Sequence, residues 1–95
     1  MHSGKTVRVR VEHRDFIERI DIEGDFSVHP PDAMREVEKN LIGVEIQSAE
    51  EGIADIIADT LSIHHAKLEG ATALEIAKVV KKAVSWKLET LNHLR

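Results

Sequence analysis

The sequence predicts an α+β fold in which three helices pack on a small antiparallel sheet. Two observations predict it: polar and apolar residues alternate along the first quarter of the chain, and later apolar residues recur at helical spacing. The expected order of elements is β-β-α-(β)-α-α, where the bracketed strand is short and optional. Residues 1–95 are assigned to a single domain, because a chain of 95 residues can build one hydrophobic core with little surplus stability.

Two strands joined as a hairpin account for the first part of the chain. Val7, Val9 and Val11 alternate with charged residues, which is typical of a half-buried strand. A second alternating run extends over residues 17–24, and the polar break at residues 13–15 predicts the turn between them. The hairpin is therefore the first expected element of the sheet.

The register of this hairpin follows from the charges on its exposed face. The two apolar sets share one face only if paired residue numbers sum to an odd value, because a one-residue slip flips every side chain. A sum of 31 sets Arg10 opposite Asp21, whereas a sum of 29 sets Arg10 against Arg19. Each exposed pair contributes only about 0.2–1 kcal/mol, but several together favour the sum of 31.

The step Gly24-Asp25-Phe26 ends the second strand and has two interpretations. In the structural one, Gly24 permits a tight turn, Asp25 bonds nearby amides, and Phe26 anchors the core. In the functional one, the same three residues form a contact surface for a partner domain. Both interpretations can hold together.

Three helices are predicted from start signals and apolar stripes. The first begins at Pro30-Pro31, where no amide donor is needed, and stops at Gly43. Capping boxes at Ser48–Glu51 and Thr72–Glu75 begin the other two. Val44–Ile46 is either a brief strand or an apolar connector. The stripes, helix by helix, are Met34, Val37 and Leu41; Ile53, Ile56, Ile57 and Leu61; and Ile76, Val80, Ala83, Val84, Leu88 and Leu91.

Composition argues against several classes of function. The net charge of −4 disfavours nucleic-acid binding, because phosphate neutralisation needs a basic surface. The absence of cysteine removes disulfides, thiolate catalysis and cysteine-based metal or cluster sites. No apolar run reaches membrane-spanning length, and no apolar signal region begins the sequence. A cytoplasmic protein without membrane contact is expected.

The sequence contains no recognisable catalytic, cofactor-binding or metal-binding set of its own. His64 and His65 are adjacent and point in different directions, so they are interpreted as loop histidines. His29 has no nucleophilic or acidic partner at a recognisable spacing. The five glycines are isolated and form no phosphate-binding loop. A small stand-alone metalloenzyme using the histidines is only a third hypothesis.

Trp86 is the remaining residue of interest. It lies in the last predicted helix, off the main apolar stripe. A tryptophan in such a position is a common interface anchor, and it can equally pack at the margin of the stripe. Trp86 therefore joins Gly24, Asp25 and Phe26 as a candidate for partner contact.

A set of motifs occurs in a fixed order along the chain: Lys5–Val11, Ile20–Phe26, Pro31-Asp32-Ala33, Val37-Glu38 and Leu41–Gly43. This ordered set resembles the C-terminal accessory domain of lipoate–protein ligases. The resemblance covers about residues 4–84, and residues 85–95 extend the last helix beyond it. As a separate chain, it resembles the small subunit that accompanies a shortened catalytic chain in some archaea.

What the resemblance implies is a supporting role. The family activates lipoate with ATP to lipoyl-adenylate and then transfers the lipoyl group to a lysine of an acceptor domain. Its catalytic lysine and its pockets belong to the large domain. The resemblance therefore implies a non-catalytic accessory subunit that partners the ligase catalytic subunit and, indirectly, lipoyl-acceptor domains. The complex is expected to use ATP, Mg²⁺ and lipoate, none of which this chain binds alone.

The alternative function comes from a different class. The chain could be a protein-interaction or oligomerisation module unrelated to lipoylation, associating through the stripe of Trp86–Leu94. A more distant resemblance, to the sulfur-scaffold proteins of iron–sulfur assembly, implies no such activity here, because those proteins rely on cysteines. Isolation of a stable homodimer joined through the last helix would favour the interaction module.

Overall fold

A computed structural model describes the backbone of residues 6–93 and the side chains of residues 6–84. The predicted α+β class is confirmed, and the observed order is β-β-β-α-α-β-α. Antiparallel pairing joins β1 to β2 and β3 to β4, which gives two small sheets. The elements are Val7–His13 (β1), Ile17–Gly24 (β2), Ser27–His29 (β3), Asp32–Leu41 (α1), Glu50–Ile63 (α2), Lys67–Glu69 (β4) and Ala73–His93 (α3).

The β1–β2 hairpin adopts the predicted register. Arg8 lies opposite Glu23, and the pairs keep the sum of 31 as far as Glu12 opposite Arg19. The Arg8 guanidinium Nε lies 3.8 Å from a carboxylate oxygen of Glu23. Beyond Glu12 the ladder shifts by one residue, because His13 pairs with Ile17 and leaves Glu18 of β2 as the extra residue of a β-bulge.

The second sheet is an addition to the predicted order. The predicted order has no strand between the second and third helices, but β4 lies there and pairs with β3. Val28 lies opposite Leu68 at the centre of this pairing. The Val28 side chain is buried, and the Leu68 side chain is half-buried. Three-residue strands carry too few alternating positions for a period-two signal, so the sequence pattern did not reveal them.

The segment 44–46, where the optional strand was expected, is a connector held against the start of β2. Glu45 forms an isolated antiparallel bridge with Phe16. The Ile17 amide donates a hydrogen bond to the Val44 carbonyl over 2.9 Å. The connector therefore covers the first part of the outer edge of β2.

The stop of α1 agrees with the prediction, whereas its first helical residue is Asp32, just after the predicted Pro30-Pro31 start. Pro31 has helical dihedral angles of −59° and −31° and precedes the first helical residue. Gly43 follows the helix with a φ of 91°, a left-handed conformation that residues with a Cβ rarely adopt. Its amide donates to the Ile17 carbonyl over 2.8 Å, so the stop also ties α1 to β2.

One of the two predicted capping boxes forms. The Glu75 amide donates to the Thr72 hydroxyl over 3.1 Å, and the Thr72 amide donates to the Glu75 carboxylate over 2.9 Å. The box predicted at Ser48 is wrong. There α2 begins one residue later, at Glu50, after an N-cap Ala49 that makes no side-chain hydrogen bond.

The core lies between the helices and the inner face of the hairpin. Most predicted stripe positions are buried, and Ile56 and Ala83 are half-buried. Leu88 and Leu91 lie outside the side chains that the structure describes. The buried stripe members are Met34, Val37, Leu41, Ile53, Ile57, Leu61, Ile76, Val80 and Val84, joined from β2 by Ile17, Ile20 and Ile22.

Candidate partner interface

The Gly24–Phe26 step is a close packing point between the hairpin and the second sheet. A Cβ on Gly24 would overlap the carbonyl oxygen of Thr6, so this position requires glycine. A Cβ on Gly70, which follows β4, would lie 3.1 Å from the Phe26 Cα. The Phe26 side chain is half-buried and packs against the core. These contacts fit the structural interpretation of Gly24 and Phe26.

Asp25 contributes to the fold through its backbone. Its amide donates to the Thr6 carbonyl over 2.8 Å, which extends the hairpin ladder by one pair. Its side chain is exposed, and the hydrogen bonds among residues 6–84 include none to its carboxylate. The expected bonds from this carboxylate to nearby amides are therefore not seen there. The carboxylate stays available at the surface, as the contact-surface interpretation requires.

Trp86 lies within the α3 backbone, but its side chain is outside those that the structure describes. The side chains of the predicted Trp86–Leu94 stripe also lie outside those that the structure describes, so its role in association stays a prediction. His64 and His65 are exposed at the end of α2, and His29 is exposed in β3. In the part of the chain that the structure describes, no three His, Asp or Glu side chains are grouped to hold a metal ion. Nor does any helix there combine the length and apolarity needed to cross a membrane.

The outer edge of β2 is covered in part. The Ile22 amide points away from β1 and donates to the Glu38 carboxylate of α1 over 2.8 Å. Further along, Ile17 exchanges hydrogen bonds with Val44 and Gly43. Glu38 belongs to the Val37-Glu38 motif, but sequence reasoning did not indicate its contact with β2, because a glutamate on a helix gives no sign of the strand that it will reach.

The outer edge of β1 is open. Since Asp25 donates to Thr6, these two residues form a hydrogen-bonded pair of the antiparallel ladder. Such pairs alternate with non-hydrogen-bonded ones, so the backbone N–H and C=O groups of Val7, Val9 and Val11 point away from β2. No strand of the described chain pairs with this edge.

The two faces of β1 differ in chemistry. The valine side chains lie on the inner face, where they are half-buried and α3 packs against the strand. The outer face carries Arg8, Arg10 and Glu12, all exposed. β1 therefore presents a free backbone edge between an incompletely buried apolar row and a mainly basic row.

Two surface depressions were not predicted from the sequence. One, of about 330 Å³, is lined by residues near the hairpin turn, including Phe16, which is 47% exposed. The other, of about 390 Å³, lies beside Glu50 and is lined by Lys78, Lys81 and Lys82. The spacing of these lysines puts them on one helical face, which was the available signal.

The structure is thus a small α+β fold in which, within the described residues, the β1–β2 hairpin has one partly covered edge and one unpaired edge. A search of solved structures found a match in a structure described as an archaeal lipoylation system from Thermoplasma acidophilum, a bi-partite lipoate protein ligase and its E2 lipoyl domain. The TM-score is 0.65, with 27% identity over 81% of this chain and 83% of that chain. A scan of protein-family models and a search of curated proteins found no match. The resemblance to lipoate–protein ligases inferred from the sequence motifs is confirmed by the structural match.

Proposed function

We propose that this chain is a non-catalytic accessory subunit that partners a lipoate–protein ligase catalytic subunit and supports ATP-dependent adenylation of lipoate. The observation that carries the proposal is the match to a chain of the Thermoplasma acidophilum lipoylation system, which combines 27% identity with coverage of most of both chains. The sequence motifs point to the same family independently of the fold.

In this proposal the chain acts by binding rather than by chemistry. The exposed histidines lie on separate elements or side by side at a helix end, and no metal-holding group occurs within the described residues. ATP, Mg²⁺ and lipoate bind to the catalytic subunit, and this chain orders or covers loops around that site. Lipoyl-acceptor domains are indirect partners, and the complex works in the cytoplasm.

The test is reconstitution with the catalytic subunit of a bi-partite lipoate protein ligase. ATP- and lipoate-dependent pyrophosphate release is measured with the catalytic subunit alone and after titration with this chain. We expect the rate to rise by at least tenfold, a change of about 1.4 kcal/mol in the barrier. Equal rates with and without this chain would contradict the proposal.

A second assay separates the two half-reactions. Pre-formed lipoyl-adenylate is supplied to the catalytic subunit, and transfer to a lipoyl-acceptor domain is followed. Because the proposed role is in adenylate formation, adding this chain should change transfer much less than it changes pyrophosphate release. A larger effect on transfer would assign the chain to the acceptor step instead.

A further inference from the structure

The open edge of β1 has the properties of a strand-docking site. Val9 and Val11 are half-buried, although the residues opposite them, Ile22 and Ile20, are only 6% and 4% exposed. An added strand would pair with the outward N–H and C=O groups and cover the rest of the valine row. Addition of a strand to a free sheet edge is a common mode of peptide recognition.

The usual protection of an edge strand is incomplete at β1. Proteins protect free edges with lysine, proline, short strands, bulges or a covering element. β1 has seven residues with neither lysine nor proline, and the register irregularity lies only at its His13 end, with the extra residue in β2. The neighbouring strand shows the contrast, because Glu38 and the 43–44 turn occupy its outer edge.

The charges on β1 favour an acidic partner strand. Arg8 and Arg10 project from its exposed face, and on the β2 side they meet Glu23 and Asp21. No strand of the described chain supplies carboxylates on the other side. A partner strand with acidic residues on this face would place each arginine between two carboxylates, and cross-strand pairs of opposite charge stabilise a sheet.

A second copy of the chain fits this edge less well. In antiparallel self-pairing centred on Arg10, the whole strand overlaps, but Arg10 faces its own copy. Centring on Val9 sets Arg8 against Arg10 twice. Centring on Val11 sets Arg10 opposite Glu12 twice, which is favourable, but it shortens the overlap to residues 9–13. Charge disfavours the first two registers and the short overlap weakens the third, so a different chain is favoured over self-association.

We propose that the outer edge of β1 binds an extended segment of the ligase catalytic subunit in which apolar and acidic residues alternate. The acidic residues lie beside Arg8 and Arg10, and the apolar residues continue the row of Val7, Val9 and Val11. The identity of the partner rests on the proposed function, whereas the open edge itself follows from the hydrogen-bond pattern of the hairpin.

Hydrogen exchange followed by NMR tests this directly on the full chain. In the free chain, the outward amides of Val7, Val9 and Val11 should exchange quickly, while the inward amides of Arg8 and Arg10 stay protected. Saturation with the catalytic subunit of a bi-partite lipoate protein ligase should slow the valine amides by at least about tenfold. The inward amides serve as the internal control within the same strand.

A pair of variants separates backbone pairing from side-chain packing. Val9→Pro removes one outward donor without removing a bond to β2, because proline is tolerated where an edge N–H faces solvent. Val9→Ala keeps the donor and shortens the same side chain. We expect Val9→Pro to weaken binding of the catalytic subunit at least tenfold more than Val9→Ala. Retained protection of the Arg8 and Arg10 amides confirms that the hairpin of each variant is folded.

A second pair tests the charge. Arg10→Gln should weaken binding of the catalytic subunit severalfold, whereas Arg35→Gln, an equal charge change at an exposed position of α1, should leave it unchanged. Equal effects of the two variants would overturn the assignment of an acidic strand, because a general electrostatic attraction would then account for binding.

The outcomes distinguish this inference from the function on which it rests. If the complex forms and adenylation rises, but the valine amides stay unprotected, the edge is not the docking site and the proposed function stands. If the catalytic subunit neither binds nor responds, both are overturned. If the valine amides become protected as this chain alone is concentrated, a second copy occupies the edge and the heterologous strand is wrong.

Discussion

The two strands of the hairpin have similar alternating sequences, but they differ in how deeply their apolar side chains are buried and in whether their outer edges have partners. On β2, Ile17 and Ile20 are 1% and 4% exposed, and the outer edge is covered by Glu38 and the 43–44 turn. On β1 the inward valines are half-buried, and the outer edge is unpaired in the described structure. The difference is that β2 completes the core, whereas β1 leaves backbone groups and apolar surface uncovered within the described residues, where the proposed partner strand would bind.

The largest expected effect is on the β2 side. Ile17→Ala should lower the free energy of unfolding by about 2–5 kcal/mol, because it leaves a cavity at a fully buried position. Val7→Ala, in the half-buried row on β1, should cost clearly less. Urea denaturation of both variants measures the comparison. Equal losses would show that β1 is as much a part of the core as β2.

The next-largest effect is expected at Gly24, where β2 ends beside the start of β1. Gly24→Ala should destabilise by about 1–3 kcal/mol, because the added Cβ overlaps the Thr6 carbonyl and forces the strands apart. Gly52→Ala is the matched control: it lies in α2 with no atom near the added Cβ. That change should stabilise the protein by about 0.5–1 kcal/mol. A neutral Gly24→Ala would mean that the hairpin end is loosely held.

Removing the cover of the β2 edge is expected to have an intermediate effect. Glu38→Ala should cost about 1–2 kcal/mol, because the Ile22 amide loses its charged acceptor. Glu36→Ala removes only the exposed 3.8 Å pair with Lys39 on the same helix, so it should cost under about 0.5 kcal/mol. In the Glu38 variant the Ile22 amide should also exchange faster, which NMR can follow. An unchanged exchange rate would show that the carboxylate does not protect this edge.

The smallest effect on stability is expected on the exposed face of β1. Arg8→Gln removes a 3.8 Å contact with Glu23 between two largely exposed side chains, and should cost under about 1 kcal/mol. Thermal unfolding at low and high salt measures it, and most of the loss should disappear at high salt. A loss above that range, or one insensitive to salt, would place Arg8 in the structural core of the hairpin.

The hairpin register was predictable because its determinants are local. Two short alternating runs and their charges favour one pairing, and the structure has that pairing from Val7 to Glu12. β3 and β4 were not predictable, because each has three residues and their partners are about forty residues apart in the sequence. The capping boxes show the same limit: Thr72 caps its helix, whereas Ser48 has an equivalent pattern and lies one residue too early.

The candidate site was predictable in part. The sequence indicated that Gly24 and Phe26 shape the end of the hairpin, and their contacts agree. It did not indicate that Asp25 acts through its amide, because backbone and side-chain roles of aspartate look alike in a sequence. It also gave no sign of Glu38 at the β2 edge, since that contact joins residues sixteen positions apart.

The sequence by itself determined the fold class, the hairpin register, the three helices and the resemblance to lipoate–protein ligases. These depend on periodicity, local charge and turn residues, which are properties of neighbours along the chain. Only the tertiary structure decided which hairpin edge is closed and which is open. The physical reason is that an edge is covered by whatever segment folds onto it, and here α1 and the turn after it reach β2 but leave β1 free.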